Sequence, residues 1–274
     1  MANSAGKSLM DARRLSANRG ALWLLGGFAL FRRNPPLLTL LTFTYLVLVV
    51  LINLIPAVGP FLLPLVLPLM TIILANGCRS IERKGSYSKQ DLLKDVPERQ
   101  QAIVHLGGLH LLASALIVLV STSLGLDLTL NENLNNERLK DLAADLGMFL
   151  FLSIPLLMAF WFAPLLTLWN QMPAMKSVFF SFIASWRNWR AFAMYAFSIG
   201  VVGVLVPGII LVLASFVSTA LVTVASVVLR MMMMFVLAPS LVASMYLSYR
   251  DVFQAASSEI VEAAPAPPET SSSE

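Results

Sequence analysis

Charged side chains are scarce in this sequence and unevenly spaced. Only 12% of the 274 residues are charged, about half the share in soluble domains. Between Arg33 and Arg79 there are 45 uncharged residues, and between Arg190 and Arg230 there are 39. Because about 20 apolar helical residues cross the hydrocarbon core of a bilayer, each stretch is long enough to cross it and fold back. These gaps exclude a soluble domain and indicate a polytopic membrane protein.

Several other features that the sequence lacks narrow the class of membrane protein further. The single cysteine, Cys78, excludes an intrachain disulfide. The apolar runs are continuous, whereas barrel strands alternate, so an all-α transmembrane bundle is predicted. Basic residues flank the apolar runs rather than forming a patch, which argues against nucleic-acid binding. No catalytic, cofactor or metal motif is present, and "DLTLNEN" from Asp127 fails as a calcium loop because Glu132 stands where glycine is required.

The chain divides into three predicted regions. Residues 1–35 form a basic N-terminus with an interfacial amphipathic helix, 36–253 a six-span domain, and 254–274 an acidic tail without aromatic residues that we expect to be disordered. The expected spans are about 36–55, 58–78, 102–124, 148–169, 191–214 and 231–247.

Three segments outside these spans are predicted to form further helices. The run 20–31 is too short to cross a bilayer, so we expect it to lie in the interface with Trp23 and Phe31 at headgroup depth. A second interfacial helix is expected at 173–190, with Ser177, Ser181 and Ser185 opposite its apolar face. Residues 215–229 are expected to form a re-entrant or interfacial helical connection.

The distribution of basic residues predicts the orientation. Segments 1–33, 79–101 and 170–190 together with Arg250 hold 16 Lys and Arg residues, whereas the loops on the other side hold three. Positive loops stay in the cytoplasm, so both termini are expected there.

A repeated unit is a second hypothesis, with chance similarity between apolar runs as the alternative. Arg-Asn pairs occur at 33–34 and 187–188, each after an amphipathic helix. Pro68 precedes Arg79 by 11 residues, and Pro239 precedes Arg250 by the same distance. A true repeat would predict three helical hairpins related by pseudo-symmetry.

Few residues suggest chemistry. His105 and His110 could serve a proton or metal site, but polar residues satisfied between helices explain them better. Arg230 suggests either an anion contact or a snorkelling interface arginine. The run of methionines at 231–234 suggests a soft ligand patch or ordinary packing. None of these is assigned as a catalytic, cofactor-binding or metal residue.

Several segments resemble an uncharacterised family of proteobacterial inner-membrane proteins. They are "GALWLLGGFALFRRNPPLL", "WFAPLLTLW" followed by "SFIASWRNWRAFAMY", and "LAPSLVASMYLSYRDVF" with its Tyr-Arg-Asp motif at 249–251. The resemblance covers about residues 10–253, and the chain departs from it at 125–146 and 207–234. It implies a bacterial inner-membrane location and carries no catalytic residue, because the family has no assigned activity.

Three functions remain open from the sequence. The first is a non-enzymatic scaffold, partner or lipid-interacting component that binds anionic headgroups at the cytoplasmic face, where residues 1–33 carry a net charge of +5. The alternative is a small transporter or channel-like subunit. It would be favoured by a water-filled cavity near Thr42, Asn53, His105 or His110. A lipid-acting enzyme is the third, and no acid, base or metal set supports it.

Overall fold

The structure, a computed structural model, describes residues 12–129 and 136–254. Its regular elements in these ranges are all helical. The expected tail at 254–274 lies outside the described residues except for Gln254. The helices are α1 (Arg19–Phe31), α2 (Pro35–Asn53), α3 (Gly59–Lys84), α4 (Lys89–Leu92), α5 (Gln100–Ser123), α6 (Asn136–Trp161), α7 (Ala163–Trp169), α8 (Ala174–Arg187), α9 (Trp189–Gly200), α10 (Val206–Ser215), α11 (Thr219–Met232) and α12 (Ala238–Tyr249).

Six helical segments among the described residues are long and apolar enough to cross a membrane, as the charge gaps predict. They form three antiparallel hairpins: hairpin 1 is α2 and α3, hairpin 2 is α5 with α6 and α7, and hairpin 3 is α9 and α10 with α11 and α12. The shortest segment, α2, has 19 residues and is about 28 Å long, close to the thickness of a hydrocarbon core. The bundle is thus built from three similar units.

Each hairpin is preceded by a short helix that packs on the hairpin before it. Helix α4 precedes hairpin 2 and contacts α3 of hairpin 1, and α8 precedes hairpin 3 and contacts α6 and α7 of hairpin 2. Helix α1 precedes hairpin 1 and packs on α9 and α12 of hairpin 3, which closes the ring. This cyclic pattern is what a threefold pseudo-repeat would produce.

Helix α1 lies in the protein more deeply than its composition indicates. Trp23 and Phe31 are both buried, rather than exposed at headgroup depth. The backbone of α1 approaches α12 closely at Gly27, where a Cβ would overlap the carbonyl oxygen of Ser240. Leu25 on the opposite face is exposed. Helix α1 therefore has one face against hairpin 3 and one apolar outer face, a division that hydropathy alone does not show because both faces are apolar.

Helix α8 directs its polar face toward the protein and its apolar face outward. Ser177, Ser181 and Ser185 are fully buried, whereas Phe179 and Trp186 are mostly exposed. The serines face the protein because small hydroxyl side chains allow close packing and bond to backbone between membrane helices. Helix α8 is thus amphipathic, as the spacing of its residues predicts, and its polar face points toward the protein interior.

The connection at 215–229 takes a different form from the one expected. A turn at residues 216–218 separates α10 from α11, and Ser218 caps α11 by accepting the amide of Leu221. Helix α11 then continues through five residues of π geometry, Met233–Leu237, into α12. The complete helical segment, Thr219–Phe253, has 35 residues and would be about 52 Å long if straight. Hairpin 3 is therefore longer than hairpin 1.

Candidate functional site at the basic end of the bundle

We call the end of the bundle that holds the short helices and most Lys and Arg residues the basic end. It includes residues 12–34, 79–99, 170–190 and 250–254. The opposite end, with the turn at 54–58, residues 124–129 and 136–146, and the turn at 216–218, is the tip end. The buried polar side chains that connect distant elements concentrate at the basic end.

The Tyr-Arg-Asp motif contacts three different elements through three consecutive side chains. The Tyr249 hydroxyl donates to Oδ1 of Asn170, just after α7. Arg250 pairs with Glu82 of α3, and Asp251 pairs with Arg19 of α1. The motif therefore connects the C-terminal end of α12 to three elements: the residue after α7, helix α3 and helix α1.

Asp251 is the most enclosed carboxylate of this group. Its oxygens accept from Arg19, with Nε at 2.8 Å, and from the indole Nε1 of Trp23 at 3.0 Å. The Asp251 side chain is 9% exposed and that of Arg19 is 44% exposed. A carboxylate removed from water requires such donors, so this arrangement explains the acidic residue at the end of an apolar helix.

Glu82 is a second acceptor at the basic end. The Tyr246 hydroxyl donates to its Oε2 at 2.6 Å, and Arg250 binds the other oxygen. The Glu82 backbone carbonyl also accepts from Arg33 at 2.7 Å. Sequence reasoning missed Glu82 because nothing in the sequence distinguishes it from the three other acidic residues of the segment 79–101.

The asparagines of the two Arg-Asn pairs each donate a hydrogen bond to a backbone carbonyl of a distant segment. Asn34 accepts the amide of Leu37 and donates to the carbonyl of Gly85. Asn188 accepts the amide of Leu15 at 2.8 Å and donates to the carbonyl of Arg13 at 2.9 Å. In both units the asparagine amide holds a second backbone segment at the elbow between a short helix and a hairpin, which supports the repeat.

A third polar contact lies where the hairpins meet. The Trp169 indole donates to Oδ1 of Asn76 at 3.0 Å, and Asn76 donates to the carbonyls of Leu92 and Lys94. The guanidinium of Arg79 lies 5.0 Å from the centre of the Trp169 ring. This cluster fixes α3 and the loop after α4 against the end of α7.

His110 acts on the backbone of a neighbouring helix. Its Nδ1 lies 3.0 Å from the carbonyl oxygen of Pro64 in α3. In a regular helix that carbonyl would accept the amide of residue 68, but Pro68 has none. A ring N–H of His110 supplies the missing donor, as expected for a polar residue satisfied between helices.

The other two hairpins show related contacts. The Thr39 hydroxyl donates to the carbonyl of Phe235 at 3.2 Å, four residues before Pro239. The carbonyl of Met158, which precedes the break between α6 and α7, accepts from Ser181 at 2.9 Å and from Ser185 at 3.2 Å. In each hairpin a polar side chain from the next unit therefore stabilises the interrupted second helix.

The remaining residues singled out from the sequence are not brought together. His105 is exposed, Asn53 bonds within its own helix to Val49, and Cys78 is fully buried. Thr42 is buried, and its hydroxyl has no hydrogen-bond partner among the described residues. Within residues 12–129 and 136–254, no group of three His, Cys, Asp or Glu residues could hold a metal ion.

The surface of the basic end carries cations and tryptophans side by side. In the "WRNWR" segment, Trp186 and Trp189 are 62% and 54% exposed, and Arg187 and Arg190 are exposed beside them. The charged side-chain groups of five further exposed residues at this end have no hydrogen bond or ion pair among the described residues: Arg14, Arg32, Arg83, Lys89 and Lys94. Indole rings and basic side chains together are typical of the headgroup region.

Comparisons with known proteins agree with this picture. No protein-family profile matches the chain, and no solved structure is significantly similar to it. A probable inner membrane protein of Burkholderia thailandensis is 33% identical over 201 residues, which cover 68% of this chain and 74% of that protein. With this identity and coverage, the chain belongs to the family of that proteobacterial inner membrane protein.

Proposed function

We propose that this protein is a non-enzymatic component of the bacterial inner membrane that binds anionic lipid headgroups at its basic end. The observation that supports this proposal is that the basic end holds exposed cations whose charged groups no other described residue engages, together with the exposed Trp186 and Trp189. Each basic residue near an anionic surface contributes about 1 kcal/mol of attraction. Such a surface also suits a scaffold that positions other membrane proteins among anionic lipids.

The buried polar groups favour a structural role over catalysis. Asp251 and Glu82 are engaged by Arg19, Trp23, Tyr246 and Arg250, and His110 is engaged by a backbone carbonyl. A general base or nucleophile needs an accessible reacting position. These groups instead hold helices together, which supports the assignment of no enzymatic activity.

The proposal places the basic end and both termini in the cytoplasm. We expect a Ser86→Cys variant to react with a membrane-impermeant maleimide only after the cells are permeabilised, and a Lys140→Cys variant to react in intact cells. The unmodified chain is the control, because Cys78 is 0% exposed and should not react. Labelling of position 86 in intact cells would reverse the orientation.

Lipid selectivity tests the headgroup proposal. Changing Arg14 and Arg187 together to glutamine should lower the preference for phosphatidylglycerol over phosphatidylcholine by at least tenfold, since about 1 kcal/mol is lost per residue. Spin-labelled lipids in nanodiscs measure this preference. The matched control, Arg138 and Lys140 to glutamine, removes cations from the tip end. An equal loss in both variants would contradict the proposal.

A transport role is the second candidate, and it rests on the irregular helices of hairpin 3. Both helices have π geometry where they face each other, at Val201–Leu205 and Met233–Leu237, and such segments are frequent at functional sites. Transport would need water at this depth. Reaction of a Gly203→Cys variant with a water-soluble maleimide would favour transport, and protection of that cysteine would exclude it.

A further inference from the structure

A cleft opens between the two helices of hairpin 3, far from the basic end. It has a volume of about 470 Å³ and is lined mainly by apolar side chains, with Arg230 at its edge. Its lining residues Gly203 and Met233 belong to the π segments Val201–Leu205 and Met233–Leu237, and Pro207 lies just after the first of these segments. The cleft therefore combines mainly apolar walls with one positive charge.

Arg230 is an unusual residue for this position. It is exposed, and no hydrogen bond or ion pair engages its guanidinium among the described residues. Its nearest neighbours along the helix are Leu229 and Met231, and the nearest charged residue in sequence on either side is 20 or more positions away. A charge on an apolar membrane helix is costly unless it snorkels to the interface or meets an anion, so a negatively charged ligand beside Arg230 would be stabilising.

A second cavity adjoins the cleft and has the character of a hydrocarbon site. It has a volume of about 330 Å³ and is almost wholly apolar, with Ser240 as its polar lining residue. Leu25 and Phe28 of α1 form one wall. Pro207, Leu229 and Met233 line both spaces, so the cleft at Arg230 and the cavity beside α1 adjoin at these three side chains.

We propose that these two spaces form a site for one anionic phospholipid, with its phosphate at Arg230 and an acyl chain in the cavity beside α1. A single unpaired cation next to an elongated apolar space matches the charge and shape of such a lipid. The site lies toward the tip end, so it does not depend on the headgroup surface proposed for the basic end. A net-negative headgroup is favoured because a zwitterionic lipid adds a cation near Arg230.

Photocrosslinking tests the site directly. The full chain is placed in phosphatidylcholine nanodiscs with a trace of phosphatidylglycerol that carries a diazirine on one acyl chain, and modified peptides are identified by mass spectrometry. We expect crosslinks to concentrate in residues 202–210 and 229–237. Arg230→Gln should reduce them about fivefold, the factor that corresponds to roughly 1 kcal/mol.

Matched variants separate the alternatives. Arg230→Lys should retain most of the crosslinking, and Met233→Trp should reduce it by filling the space while leaving Arg230 in place. Arg138→Gln, at the tip end, and Arg187→Gln, at the basic end, should have no effect on these peptides. The proposal is overturned if the Arg230→Gln variant is crosslinked to the same extent as the unmodified chain. It is also overturned if a diazirine phosphatidylcholine labels the same peptides to the same extent as the diazirine phosphatidylglycerol.

Discussion

Replacing Gly107 with alanine is expected to destabilise the bundle by about 2 kcal/mol, whereas the same change at the adjacent Gly108 should be neutral or slightly stabilising. A methyl group at Gly107 would overlap the carbonyl oxygen of Leu65 in α3, and backbone cannot move aside as a side chain can. A methyl group at Gly108 meets nothing within 4 Å. The two variants have the same composition and differ only in the direction of one methyl group.

The measurement is the thermal unfolding midpoint of each variant in mild detergent. Because Gly107 lies one turn before His110, separation of α5 from α3 should also break the hydrogen bond to Pro64. The effects of Gly107→Ala and His110→Ala should therefore combine to less than their sum. Equal unfolding midpoints for Gly107→Ala and Gly108→Ala would show that α3 and α5 are not in close contact.

Replacing Asp251 with alanine is expected to cost about 2 kcal/mol of stability, and to loosen α1 before the rest of the bundle. The change leaves the buried indole N–H of Trp23 and the guanidinium of Arg19 without their shared acceptor. The full cost of a broken buried ion pair does not apply, because Arg19 is 44% exposed and can be solvated. Hydrogen exchange of the α1 backbone amides should become faster while that of α3 stays slow.

Asp127→Ala is the matched control for this variant. Asp127 also pairs with an arginine, Arg138, but that carboxylate is 49% exposed. Hydrogen bonds from the hydroxyl and amide of Thr129 lower the pKa of Asp127 below its usual value. Loss of an exposed pair should change stability by less than about 1 kcal/mol. If both aspartate variants lose equal stability, Asp251 does not anchor α1.

The Arg-Asn pairs of the repeat hypothesis have a counterpart in the structure. The shared Arg-Asn pairs predicted equivalent positions, and Asn34 and Asn188 do hold backbone segments at equivalent elbows. The repeated spacing of 11 residues from proline to arginine does not predict which side chains donate to the carbonyls near these helix interruptions. The donors are His110, Thr39 and Ser181, and they lie on other helices. Contacts between distant segments leave no local periodicity in a sequence.

The sequence by itself determined the class of protein and its helical spans, since apolar runs of this length can satisfy their backbone only as helices in lipid. The family resemblance was also readable, and the relative from Burkholderia thailandensis confirmed it. Only the tertiary structure decided which face of each helix is buried: Trp23 and Ser181 turned out to face protein. The physical reason is that lipid and protein interior are both apolar, so hydropathy cannot distinguish them, whereas close packing and hydrogen bonds between helices can.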